Sequence, residues 1–483
     1  MSSDSLLSLL PLICISVTIM ILMLQIVLVP GDRLSYWLTV IGVVATLWAT
    51  FFITPLLPQQ ATILLTVDAE ARLFSQILVI CTLLLLPFCH RIPTARGSSA
   101  EYLLLLLLTL LGALVLASAS HMAALVIGVE LISLSLVVMI AYPFAPQYST
   151  ALETGIKYLL LSGVASAVLL FGAGLTYIGL GALEFSAISQ AFTDIDLMEQ
   201  GLVLSGLMMV IAAIGFKLSL APFHLWTADL YQGAPLLSAT VLATLAKAAM
   251  ALALFRFYLA ADLAVLQVIN LGIALLAILS MLTGNLLALF QRDLRRIMAG
   301  SSIAHFGYLM VLLVAISTLH SVEGAAQSRA LLAWVIYLVT YLAATLAVFS
   351  VMLHIAPASE AFHQTQLKGL CQRHPLSGWV LLLAMLSLAG IPLTAGFIGK
   401  FYIFTEAVNG TLWGLLLTLI AASAIGLFYY LKVVLMLISP AEGAEADPVT
   451  GRWLTRLPII LIALFIVFVG IYPPSLIDLL SQL

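Results

Sequence analysis

Fourteen apolar runs follow one another along this chain with little sequence between them, each near the ~20 residues that carry a helix across a bilayer. They lie near 6–29, 35–56, 73–90, 102–118, 121–142, 152–179, 203–230, 235–258, 264–289, 295–319, 329–356, 375–409, 411–438 and 456–480. The fold class this predicts is all-α: a polytopic membrane protein of about fourteen transmembrane helices. At 63% hydrophobic and 8% charged, one helical bundle in lipid absorbs all 483 residues. The opening MSSDSLLSLL has no positive n-region and reads as a first spanning helix rather than a signal peptide. A net charge of −3, with no basic patch outside short loops, gives no reason to expect nucleic acid. Cys14, Cys81, Cys89 and Cys371 have no paired ligand spacing, and the eight histidines form no two-helix haem pattern. No cofactor or metal is expected in this chain.

Loop charge orients the bundle. With the N-terminus outside, the inner loops hold Arg33, Arg91, Arg96, Arg292, Arg295, Arg296, Lys368, Arg373, Arg452 and Arg456, against Arg72, Arg256 and Arg329 outside. Ten against three places both termini outside by the positive-inside rule. The outer loop near 180–202, with Glu184, Asp194, Asp196 and Glu199, is consistent with this.

The seventh and twelfth runs are too long for one straight span, and each contains a proline, Pro222 and Pro392. LSLA at 218–221 runs directly into Pro222, and LSLA at 386–389 reaches Pro392 two residues later. Broken helices at matching places in two halves are how transporters build a polar site at the bilayer midplane, because unwound backbone is tolerated there only against protein or water. Two hydrated half-paths are expected.

Five of the six lysines, Lys157, Lys217, Lys247, Lys400 and Lys432, lie inside these runs. An ammonium at mid-bilayer costs roughly 2.5–3.5 kcal/mol on insertion scales, so such a series suggests a proton pathway. Glu130, in GVELISL, sits about ten residues from either end of the fifth helix. A carboxylate that deep takes up a proton unless a cation is near, and Lys217 is the candidate cation. The alternative is a neutral, hydrogen-bonded Glu130 that only packs helices. Lys247, central in the eighth helix, is too deep to snorkel and must face a wet cavity or give up its proton. Lys400 lies eight residues beyond Pro392 and is central in the second broken helix. Glu406 on the same helix is either an exit group or an interfacial acid. Glu153 and Lys157, spaced i, i+4, can pair on one face, as a structural pair or an access route. Lys432 is near enough to its helix end to snorkel. His224 in LAPFHLW and His305 in SSIAHFGY, beside Ser301 and Ser302, are the groups most apt to bridge the lysines. Tyr231, Gln232, Gly233, Ala234 and Pro235 form the turn between the seventh and eighth helices.

GVELISL, GFKLSLAPFHLW at 215–226, YQGAP at 231–235, SSIAHFGY at 301–308 and LSLAGIPLTAGFIGKFY at 386–402 resemble the antiporter-like membrane subunits of respiratory complex I. Among those paralogues the chain is most similar to the subunit N (subunit-2) type of bacterial NADH–quinone oxidoreductase. The match runs in order from about 120 to 440, and its last block is highly specific. The resemblance implies two inverted five-helix repeats, each with a broken helix. The divisions are 1–100 for helices 1–3, 101–260 and 261–440 for the repeats, and 441–483 for the last helix. It further implies proton translocation through Glu130, Lys217, Lys247 and Lys400, with His224 and His305 in the connecting chain; Glu153 and Lys157 remain candidates from their spacing alone. NADH, FMN, iron–sulfur clusters and quinone would belong to partner subunits of the complex, and the chain would sit in a bacterial inner membrane with both termini periplasmic. Two departures bear on the bend between helices seven and eight. The family often has a proline where this chain has Thr227 and Ala228, and another where it has Leu236 and Leu237.

The mechanism expected is electrostatic. Two unit charges about 4 Å apart interact by about 4 kcal/mol at an effective dielectric near 20, enough to push a proton from Lys217 toward Lys247 and on to Lys400. The rivals are a subunit of a multisubunit cation/proton antiporter, which shares these motifs, and a spacer whose charges stay idle.

Overall fold

The computed structural model describes residues 3–53, 57–90, 99–142, 150–192, 196–319, 325–355, 362–440 and 453–481. Arg91, Arg96, Arg452 and Asp194, used above for orientation, lie outside these. Thirteen helices in the described residues are long and apolar enough to cross a membrane. A fourteenth crossing is split into Pro375–Ala389 and Ala395–Asn409.

Where helices start and stop follows local chemistry. The Asp68 carboxylate caps the third, Ala69–Leu85, by accepting from the Ala71 N–H at 2.7 Å. His121 does the same for the fifth, Met122–Ala141, through Nδ1 to the Ala123 N–H at 3.0 Å. The last crossing, Trp453–Ile471, ends well short of residue 480 because Pro473 and Pro474 interrupt it, and Pro474–Ser481 is a separate short helix. One element the apolar pattern does not announce is a small antiparallel ribbon, Gln59–Gln60 with Thr66–Val67. Arg256 ties it down, donating to both Asp68 oxygens at 2.9 and 2.8 Å, to Thr66 O at 3.0 Å and to Ala119 O at 2.8 Å.

The contacts group the chain into two compact units, Met1–Leu218 with Val241–Ile269, and Ser219–Thr240 with Asn270–Leu483. In the first unit the sixth helix, Ala151–Leu180, lies against the seventh, Leu197–Leu218, across glycines. A Cβ on Gly172 would stand 2.6 Å from Gly206 O, so only glycine permits that approach.

In the second unit the segment after the break is fixed by polar contacts. The Ala221 N–H donates to Ser280 Oγ at 2.9 Å, Asp229 pairs with Arg296 at 2.5 Å, and Arg295 donates to Ala234 O. These contacts anchor the bend that the two missing prolines put in question; Trp226–Gly233 is helical and Leu236 begins the next crossing.

Both broken helices stop before their prolines. The seventh ends at Leu218 with Ser219 at φ 64°, and the twelfth ends at Ala389 with Gly390 at φ 81° and Leu393 at φ 71°. A non-glycine residue held there costs about 1–3 kcal/mol, so the surrounding packing fixes each break.

Candidate functional site

Lys217 closes the last turn of the Leu197–Leu218 helix and is 6% exposed. Its Nζ donates to Ser133 Oγ at 2.7 Å and Ser162 Oγ at 2.6 Å. Ser133 belongs to Met122–Ala141 and Ser162 to Ala151–Leu180, so three helices meet at the ammonium. The Ser133 hydroxyl spends its own proton on Val129 O at 2.6 Å, which leaves its lone pairs for the lysine. The C-terminal end of the lysine's own helix carries a partial negative charge that also favours a cation.

Glu130 does not make the contact the sequence suggests. Ion pairs within 4.0 Å in the described residues include Glu153–Lys157, Asp68–Arg256 and Asp229–Arg296, and Glu130 with Lys217 is not among them. Glu130 lies within electrostatic reach of Lys217, but one of its oxygens is buried without a hydrogen-bond partner. Serine hydroxyls take the nearest positions instead, Ser133 one turn along the helix of Glu130 and Ser162 on the next helix. Tyr158 is hydrogen-bonded with Ser162 and lies within the field of Glu130.

Lys247 is fully buried in the eighth crossing, Leu236–Ala260. It follows a π turn, Leu242–Ala246, and its N–H reaches back five residues to Leu242 O. Single π turns inside α-helices recur at functional sites, and nothing in the apolar pattern signals this one. Glu153 and Lys157 pair at 2.5 Å with 66% and 63% of their side chains exposed, on the outer surface of their unit rather than in its interior.

In the second unit Lys400, also 6% exposed, donates from Nζ to Ala389 O at 2.9 Å. That carbonyl ends the first half of the lysine's own broken helix, so the ammonium caps the negative end of Pro375–Ala389. It also stands 5.6 Å from the centroid of the Tyr308 ring. Glycine at 390 makes room, since a Cβ there would lie 2.7 Å from Lys400 Cδ.

Beside it, His305 is hydrogen-bonded on both ring nitrogens, Nδ1 to Tyr337 Oη at 2.6 Å and Nε2 to Tyr430 Oη at 3.1 Å. Tyr430 continues to Ser301 Oγ, and Tyr341 donates to Ser302 Oγ at 3.0 Å. Asn285 joins Tyr308, at 2.8 Å, to Tyr429, at 3.1 Å. A neutral imidazole donates at one nitrogen and accepts at the other, so exchanging its two tyrosine bonds moves a proton across the ring. His224, half-buried in the seventh-helix break, has its Nδ1 buried without a hydrogen-bond partner, and His305 bonds tyrosines instead. Sequence reasoning missed the tyrosines; the signal available was Tyr337 and Tyr341, one turn apart in a long apolar helix, Ala325–Ile355.

Comparison with known proteins finds relatives along nearly the whole chain. The family model described as "NADH:quinone oxidoreductase/Mrp antiporter, TM" matches residues 119–426, a stretch that contains Glu130, Lys217, Lys247, His305 and Lys400. The chain is 40% identical over 483 residues to NADH-quinone oxidoreductase subunit N of Methylococcus capsulatus, covering 99% of this chain and 95% of that one. It is 41% identical over 481 residues to the subunit N of Chromohalobacter salexigens, covering 98% of each. Its fold matches a chain of respiratory complex I from Thermus thermophilus with bound aureothin, with a TM-score of 0.82, 29% identity, and coverage of 97% of this chain and 98% of that one.

Proposed function

This chain belongs to the family of NADH:quinone oxidoreductase and Mrp antiporter membrane subunits, and from that membership we propose that it is the subunit N type of a bacterial proton-pumping NADH:quinone oxidoreductase. It is then a translocase subunit that moves protons while quinone is reduced elsewhere in the complex. The observation that carries this reading is a buried ammonium at each interrupted helix, Lys217 and Lys400, each held by hydrogen bonds and neither fixed in an ion pair within 4.0 Å among the described residues. An ammonium received by hydroxyls or a carbonyl can release its proton without leaving a buried carboxylate unpaired.

In this scheme Glu130 acts on Lys217 through the field rather than by contact. When a change in the neighbouring complex weakens that field, Lys217 yields a proton, Ser133 turns its hydroxyl from Val129 O toward the neutral amine, and Lys247 receives the proton. His305 then passes it between Tyr337 and Tyr430, and Lys400 takes it up. The repeats 101–260 and 261–440 supply one half-path each. His224 lies at the break where water would enter, and Glu153 with Lys157 forms a surface pair. NADH, FMN, iron–sulfur clusters and quinone belong to the partner subunits. The chain lies in the inner membrane with both termini periplasmic.

The test is NADH-driven proton pumping by membranes carrying Glu130→Ala or Lys217→Ala. Loss of pumping at normal complex content supports the scheme, and undiminished pumping defeats it. Cation–proton exchange that depends on sodium and runs without NADH oxidation would favour the antiporter alternative.

A further inference from the structure

The scheme above leaves Lys400 with a proton and no outlet, and the same helix carries a second buried titratable group. Glu406 lies in the last turn of Ala395–Asn409 and is 3% exposed. One carboxyl oxygen, Oε2, is buried without a hydrogen-bond partner, and the other receives only a long 3.4 Å contact from Asn409 Nδ2. The position compounds the cost of a negative charge, because the carbonyl end of a helix repels an anion. An acid with one long hydrogen bond and one unpartnered oxygen, at the end of a helix that opposes its charge, needs another reason to be there.

The surroundings supply a means of releasing a proton. Ala395–Asn409 packs against Leu294–Leu319, Ala325–Ile355, Pro375–Ala389, Trp413–Ile438 and Trp453–Ile471. Those elements carry Arg295, Arg296, His305 and Tyr308, then Arg329, Tyr337, Tyr341 and His354, then Tyr429, Tyr430 and Lys432, and Arg456. Of these, Arg329 is a cation whose field reaches Glu406. Arg329, at an exposed position, is a cation in contact with solvent. Lys400 lies six residues back, about 9 Å along the axis at 1.5 Å per residue, and Lys400, Ile403, Glu406 and Ala407 are the buried positions of the stretch. A direct hydrogen bond does not span that distance, so a transfer would need a bridging water.

We propose that Glu406 is the proton-release group of the second unit: its carboxyl takes the proton that leaves Lys400 and yields it to water at the Asn409 end of the helix, while Arg329 steadies the carboxylate that remains. By the loop-charge orientation that end faces outward. The proposal rests on the proton-translocation reading of Lys400.

The test uses the whole complex in liposomes, with NADH oxidation and proton uptake followed together. Glu406→Gln keeps size and hydrogen-bonding capacity but cannot carry the proton, so pumping falls by about tenfold or more, while Glu406→Asp retains most of it. A purely structural acid predicts wild-type pumping in the Gln variant, and that result overturns the proposal. Arg329→Gln, at an exposed position, removes the cation that helps the proton leave, and the pH profile of pumping moves to higher pH. An unmoved profile overturns the proposal even where the Glu406 variants fail to assemble. Lys400→Ala separates the two levels of argument: full pumping there defeats the underlying reading, whereas a dead Lys400 variant beside a fully active Glu406→Gln defeats only the release step.

Discussion

At Lys217 the ammonium is received by two side-chain hydroxyls from two other helices, whereas at Lys400 it is received by a main-chain carbonyl of its own broken helix and faces a tyrosine ring. The burial is the same and the ligands are not. Hydroxyls rotate, so they can accept from an ammonium and then donate to the amine that remains. A carbonyl only accepts, and a ring face favours only a cation. The first arrangement therefore tolerates both protonation states, while the second prefers the charged one. A lysine that hands protons on and a lysine that collects them would differ in this way.

The largest expected effect comes from keeping the charge while forbidding its loss. Arginine stays protonated at any working pH, so Lys217→Arg and Lys400→Arg should each assemble and yet lose pumping by orders of magnitude. If Lys217→Arg pumps normally, the first site holds a fixed charge and its difference from the second has no functional meaning. The measurement is proton uptake per NADH oxidised at matched complex content.

Next in size is removal of the hydroxyls. A hydrogen bond to a charged group contributes about 1.5–3 kcal/mol, so Ser133→Ala with Ser162→Ala strips the ammonium of its ligands and favours the neutral amine. Pumping should fall by about tenfold or more, with each single substitution costing less. No substitution can delete the Ala389 carbonyl, so the second site is probed through Gly390→Ala. That change places a Cβ against the Lys400 stem and puts alanine at a positive φ, costing about 1–3 kcal/mol. The outcome expected is a lower heat-inactivation midpoint with pumping reduced, less than in the double serine variant. Equal losses would erase the distinction between rotating and fixed ligands.

How much of this the sequence announces depends on the kind of residue. Lys217, Lys247 and Lys400 stand out because an ammonium in an apolar run has a large and recognisable cost, and Pro222 and Pro392 flag the breaks because proline removes a hydrogen bond from a helix interior. The helix order is legible for the same reason. The ligands are not, since serine and tyrosine occur throughout apolar helices without penalty. Only the crossing of three helices makes Ser133 and Ser162 converge on Lys217, and only the fold brings Tyr337 and Tyr430 to the two sides of His305. Glu130 shows the limit from the other side. Charge alone predicts contact with Lys217, but which group touches the ammonium is decided by where the backbone places each side chain, and it places Ser133 and Ser162 there. The ribbon at Gln59–Gln60 and Thr66–Val67 is too short for any periodicity to show, and it depends on Arg256, almost 200 residues away.

The smallest effect sharpens the comparison most finely, because it isolates the ring from the carbonyl. Tyr308 faces Lys400 with its ring and takes a hydrogen bond from Asn285 with its hydroxyl. Tyr308→Phe removes the hydroxyl and keeps the ring; Tyr308→Leu removes both. A cation over a desolvated ring is worth about 1–2 kcal/mol, and that stabilisation vanishes when the lysine is neutral. Loss of the ring should therefore let Lys400 release its proton more readily, moving the alkaline limb of the pumping profile to lower pH in the Leu variant. The Phe variant should keep that limb near its wild-type position and change only what passes through Asn285 and Tyr429. If Phe and Leu shift the profile equally, the hydroxyl rather than the ring governs Lys400. The second site would then resemble the first, with a rotating ligand in both.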